Sequence, residues 1–272
     1  MKHEFDVKAW QALVKKSSAK KEFEDPDVVD PVAQVVLAFL AWRSTESEAE
    51  DALGRIMEVM IDYNDLRVSD EAQIAGLVGK SYPFVQERVA RMVEVLNELF
   101  KREHAVSMAS VASSSKKDQK HYLETLPGIV PYVASRVQLI CFGGHAFPVD
   151  ERILTLMVKG GVVDAEITPA EAEALLLRQV KAADTLKTYQ AIQAASDRQK
   201  WADKGVEPHA PKRALELAET ALTEASKREK EAATVKAASK SKSSKAKTSK
   251  ASKTAKVSKT SKKKTTSKKA KA

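Results

Sequence analysis

The chain has 272 residues, 43% of them hydrophobic, which is enough apolar material for a sizeable core in one or two domains. Its single cysteine, Cys141, excludes a disulfide framework and a four-cysteine metal site; the opening MKHEFDVKAW lacks the apolar run of a secretory signal, and stretches such as VVLAFLAW (35–42) fall far short of a membrane span. The net charge of +9 conceals a division: residues 236–272 carry 15 Lys and no acid, so the rest of the chain holds 31 basic against 37 acidic side chains, a balance of −6.

Helical periodicity runs through the body. EFDVKAWQALVKK places Phe5, Ala9, Trp10, Leu13 and Val14 on one helical face. DPVAQVVLAFLAW follows Asp30-Pro31, an N-cap with proline at the first helical position, and its nearly unbroken apolar character predicts the central buried helix. In STESEAEDALGRIMEVMIDY, Thr45 and Glu48 have capping-box spacing, and Ala49, Leu53, Ile56, Met57 and Met60 recur at three and four. SDEAQIAGLVG predicts a short helix ending at Gly79, and PFVQERVARMVEVLNELFKRE a long amphipathic one. SMASVASSSKKDQ breaks the pattern and is expected to be loop.

The stretch LETLPGIVPYVASRVQLI then predicts helix, tight turn and helix. Gly128 permits a positive φ, and the second helix starts near Val130 and Pro131, where free amides could hold a phosphate. CFGGHAFPVDERILTLM closes that helix at Gly143-Gly144 and opens another at Asp150, a natural N-cap; Cys141 is expected in mid-helix as a buried hydrophobe. His121 and His145 have no partners at metal-ligand spacing. A Thr168–Glu171 capping box starts a further helical stretch, and Pro208 and Pro211 precede a last helix over roughly 212–235. No stretch alternates with period two, so the predicted class is all-α.

Residues 236–272 are Lys, Ser, Thr and Ala with one Val and no aromatic residue. Such a composition cannot offset its ordering entropy and is expected to be disordered. Lysines such as Lys240, Lys250, Lys262, Lys263 and Lys264 suit sequence-blind phosphate neutralisation, and the segment resembles the C-terminal tails of linker histones.

Over roughly residues 28–165 the motifs resemble, in order, those of the helix-hairpin-helix DNA glycosylases of the endonuclease III type. The residues that carry the likeness are LAWRSTESE (40–48), LVGKSYPFVQERVARMV (77–93), the hairpin Leu126, Pro127, Gly128, Ile129 and Ala134, then Phe142, Gly143, Val149, Asp150 and Ile153. The resemblance implies that Asp150 stabilises an oxocarbenium-like sugar and orients water. It also implies that Tyr132, eighteen residues earlier where lyase members carry lysine, leaves no amine for a Schiff base. Val130 stands for the second hairpin glycine, Arg43 for the residue that fills the gap left by a flipped base, and Glu151-Arg152 for Thr-His.

The resemblance implies a two-lobed all-α glycosylase fold: an N-terminal helix (1–31) packing with the second lobe, a six-helix lobe with the hairpin (32–140), a second helical lobe (141–235) and the basic tail (236–272). Asp150 and Tyr132 are the candidate catalytic residues. Arg43, Leu126, Gly128, Val130, Arg136 and the tail lysines are the candidate DNA contacts. The partner implied is double-stranded DNA, with no cofactor, no metal, no iron–sulfur cluster and no membrane. The expected form is a monomer, cytoplasmic and associated with nucleoid or chromatin. The activity implied is monofunctional base excision. The alternative is a catalytically inactive DNA-binding or architectural protein with a histone-like tail.

Overall fold

Asp30 opens the helix on which the first lobe is built. Its carboxylate accepts from the amides of Val32 (3.1 Å) and Ala33 (3.4 Å), and Pro31 needs no amide partner at the first helical position. The computed structural model describes residues 4–18, 29–79 and 81–199, all within the first of the chain's two units, residues 1–215. The predicted helix 212–235 and the tail lie outside the described residues.

The helices in chain order are α1 (Val7–Ser18), α2 (Pro31–Ala41), α3 (Glu46–Met57), α4 (Tyr63–Val68), α5 (Glu71–Val78), α6 (Val85–Glu103), α7 (Ala109–Ala112), α8 (Lys116–Glu124), α9 (Pro131–Ile140), α10 (Glu151–Lys159), α11 (Pro169–Gln179) and α12 (Thr185–Asp197), the last preceded by a 3₁₀ turn, Ala182–Asp184. Among the described residues the only extended pairing is a single bridge between Phe5 and Val163. The class is all-α, as the absence of period-two patterning implies.

Two apolar clusters organise these helices. The first draws on α2 through α9. Val35, Val36, Ala38, Phe39, Leu40 and Ala41 of α2 are fully buried at its centre, with Ile56 of α3 and Met92, Leu96 and Leu99 of α6 around them. Burying a side chain of this size contributes about 1.5–3 kcal/mol. The outer face of α6 carries the ion pairs Glu87–Arg91 (3.0 Å) and Glu98–Arg102 (2.9 Å), each with the acid N-terminal at i, i+4. The second cluster joins Trp10 of α1 to Phe147, Ile153, Leu154, Met157, Leu176, Tyr189 and Ile192. Trp10, Phe147 and Tyr189 stack edge to face with centroids 6.0 and 5.9 Å apart. The Asp6 amide donates to Val162 O (2.9 Å), so the residues before α1 pack against the turn after α10.

The sequence-based expectation differs from the structure in three places. The first cluster contains eight helices rather than six, because six-residue α4 and single-turn α7 join the longer ones. Within the stretch expected to be loop, Ser115 caps α8 through the Asp118 amide (3.2 Å), and Gln119 closes α7 by donating to Ala112 O (3.1 Å). Cys141 is the C-cap of α9, not a mid-helix residue, and is half-buried.

The hairpin between α8 and α9 turns at Gly128, whose φ is +80°. A Cβ there would lie 2.7 Å from Glu94 Oε2 and 3.0 Å from the Arg91 carbonyl, so the turn presses against α6. Gly128→Ala should therefore cost more than about 1 kcal/mol. Gly54 sits inside α3 with no atom within 4 Å of a built Cβ, and Gly54→Ala should add about 0.5–1 kcal/mol. Urea midpoints moving in opposite directions for the two variants would support this assignment; a shared direction would contradict it.

Candidate interlobe site

The seam between the two clusters is built from five elements: the α2–α3 turn with the start of α3, the start of α6, helix α9, the start of α10, and the middle and end of α12. Asp150 is the N-cap of α10. Its Oδ1 accepts from the Arg152 (3.1 Å) and Ile153 (2.9 Å) amides, and its Oδ2 accepts from the Arg43 amide (2.9 Å) across the seam. The side chain is 2% exposed. Burial, reinforced by the neighbouring Glu151, pushes its pKa up to about 6, against the lowering effect of these amides and of Arg152.

Arg43 occupies the left-handed region, φ +59°, at the tip of the α2–α3 turn. Its guanidinium pairs with Glu151 and lies over the rings of Trp42 (4.5 Å) and Phe84 (4.8 Å). Phe84 also has a positive φ, +52°. Behind them Arg88 of α6 is fully buried. It donates to Phe39 O, to Leu40 O (2.9 Å) and to Pro83 O (3.0 Å), capping the carbonyl end of α2 with a charged group; burial lowers its pKa to about 10.

Beside Asp150 stands a second polar knot. The hydroxyls of Tyr132 (α9) and Tyr189 (α12) are 3.2 Å apart. Arg136, one turn after Tyr132, donates to both (3.0 and 3.1 Å) and forms a two-armed pair with Glu46 at the start of α3. Tyr189 reaches Gln193 Oε1 at 3.4 Å. Tyr132 is 2% exposed and Arg136 3%, and burial pushes the Tyr132 phenol up to about 12. Arg152 donates to Ser196 O (3.2 Å) and lies 3.8 Å from Asp197.

The structure therefore brings Asp150, Arg43, Tyr132 and Arg136 to one seam, with Asp150 held by backbone amides, Arg43 paired with Glu151, and Arg136 bonded to Tyr132 and Glu46. Arg136, expected at a DNA face, is enclosed and paired with Glu46. Leu126 and Val130 lie in the first apolar cluster, while Gly128 is half-buried against α6. Lys240, Lys250, Lys262, Lys263 and Lys264 lie outside the described residues. Glu46, Phe84, Arg88, Tyr189, Gln193 and Asp197 were not foreseen. The spacing of four between Tyr132 and Arg136, and between Tyr189, Gln193 and Asp197, was the available signal.

No family model and no curated protein matches the chain. Solved structures do. A non-covalent endonuclease III–DNA complex is 13% identical with a TM-score of 0.57, covering 76% of this chain and 94% of that one. A trapped endonuclease III–DNA covalent intermediate is 13% identical with a TM-score of 0.53, covering 68% and 82%. The 8-oxoguanine glycosylase/lyase of Clostridium acetobutylicum, bound to double-stranded DNA with cytosine opposite 8-oxoguanine, is 14% identical with a TM-score of 0.53, covering 70% and 69%. The chain has the helix-hairpin-helix DNA-glycosylase fold. Within that fold, the hairpin is α8–α9 and Asp150 stands at the mouth of α10.

The raised Asp150 pKa has a measurable consequence. The folded carboxyl releases its proton near pH 6, an unfolded aspartate at about pH 4. Between these values the folded state binds more protons, so this group's contribution to stability falls as pH rises from about 4 to 6. At about 1.4 kcal/mol per pH unit this is a few kcal/mol. Wild type should gain stability relative to Asp150→Asn when urea unfolding is moved from pH 7 to pH 4.5. A difference between the two proteins that does not change with pH would contradict the assignment.

Proposed function

We propose that this chain binds duplex DNA through a glycosylase fold whose base-receiving space is filled, so that it engages DNA without excising a base. The observation that carries this reading is the knot of Tyr132, Tyr189, Arg136 and Glu46. An enzyme that removes a base takes it out of the stack into a fitted pocket. Here a base approaching Asp150 would have to displace the buried Arg136 from its two-armed pair with half-buried Glu46 and from two phenol contacts. Leaving the buried Arg136 charge without its anion carries a desolvation penalty. Asp150 also has structural employment: it caps α10 and holds the Arg43 amide, which accounts for an aspartate there without chemistry.

Duplex DNA is the partner favoured by two features. The three solved structures named above are DNA complexes or intermediates. The 15 lysines of residues 236–272 suit counterion release from phosphates, and the remaining balance of −6 assigns most of the attraction to that segment. The protein would act as a monomer on nucleoid or chromatin, and among the described residues no helix is long and apolar enough to cross a membrane.

One observation favours monofunctional excision instead: Asp150 is retained eighteen residues after Tyr132, in this fold, with a pKa of about 6. The two readings separate on duplexes carrying uracil or thymine opposite guanine, adenine opposite oxidised guanine, or an alkylated purine. The expected result is salt-sensitive binding to all of them, no strand breaks after hot alkali, and no covalent complex trapped by borohydride. Base release that Asp150→Asn abolishes, typically by about 10²-fold or more, would replace the proposal with excision.

A further inference from the structure

Arg43 is the side chain through which the first lobe grips the start of α10. Its amide holds Asp150 and its guanidinium holds Glu151. Two features of this grip cost stability, and a third leaves the guanidinium able to change partners. Glu151 is nearly buried, yet its Oε2 has no hydrogen-bond partner, and a half-satisfied buried pair is worse than an apolar contact. Arg43 is held at φ +59° and Phe84, on which it lies, at φ +52°, a conformation that costs non-glycine residues about 1 kcal/mol or more each. The guanidinium is stacked on two rings, so it can exchange one anion for another without losing its bed.

We propose that Arg43 is a bolt: its pairing with Glu151 holds the two lobes shut over Asp150, and a phosphodiester of duplex DNA draws the bolt by taking the guanidinium from Glu151. The release half rests on the DNA-binding reading above. A phosphodiester matches the planar fork of arginine as well as a carboxylate does and arrives with its own hydration. Glu151 then regains water for both oxygens, and the Arg43 turn is free to leave its left-handed conformation. Binding of polyanion is in this way coupled to loosening of the seam.

The test uses the full chain and amide hydrogen exchange at Arg43, Arg152 and Ile153, the three donors to Asp150. Glu151→Gln should speed exchange at these amides by about tenfold or more without DNA, while Val36 and Phe39 in the core of α2 stay protected. A random-sequence 20-base-pair duplex at saturation should speed the same three amides in the wild type, which requires no variant to fold. Arg43→Met should bind duplex with a log–log salt slope shallower by about one phosphate. Unchanged protection in Glu151→Gln would show that the pair bolts nothing. Full duplex binding by the wild type with all three amides still protected would overturn the release step alone. Absence of duplex binding would overturn both the release step and the DNA-binding reading.

Discussion

Four guanidinium groups, those of Arg43, Arg88, Arg136 and Arg152, are withdrawn from water at the seam between two apolar clusters. A charge in that position must find an anion or a set of carbonyls, and the need propagates outward. Arg88 takes the end of α2 and thereby fixes where the α2–α3 turn emerges. That turn delivers Arg43 to Glu151 and its amide to Asp150. Arg136 demands Glu46, which anchors the start of α3 to α9, and its remaining reach organises both phenols. Arg152 ties α10 to the end of α12. Arg43 bonded to Asp150 and Glu151, and Arg136 bonded to Tyr189, cross between the two clusters.

The same constraint gives the aspartate, the tyrosine and the arginine at the places of the glycosylase resemblance a structural part in the seam. A carboxylate that accepts three amides is a cap and a clasp. The Tyr132 phenol is 2% exposed, and its oxygen already meets a guanidinium and a second phenol. Positive charge is concentrated in sequence elsewhere, in the lysines after residue 235, while the rest of the chain is mildly acidic.

Local features of the fold were legible. Asp30-Pro31, Thr45–Glu48 and Thr168–Glu171 each announced a helix start through capping chemistry, and each cap forms. The apolar run 31–41 announced the central helix, and the ordered motifs around the hairpin announced the fold. The short α7 was hidden because Ala and Ser carry no periodic apolar signal. Asp150 was legible as an N-cap. Its third donor was not, since Arg43 lies 107 residues away and only lobe docking brings it there. Arg88 sits on the buried face of α6 where a hydrophobic residue is expected, and nothing local to the sequence reveals that α2 presents bare carbonyls to it. The left-handed Arg43 and Phe84 also run against residue preference, and such departures are set by tertiary packing.

The central claim is that the seam has no room for a flipped base. It is tested most directly with duplexes carrying a single 2-aminopurine, placed opposite thymine or in a mismatch, whose fluorescence rises when the base leaves the stack. The account predicts that saturating protein, with binding confirmed independently, leaves the emission at the level of the free duplex. A several-fold rise that tracks the binding isotherm would show that a base is drawn out and housed, and would contradict the account.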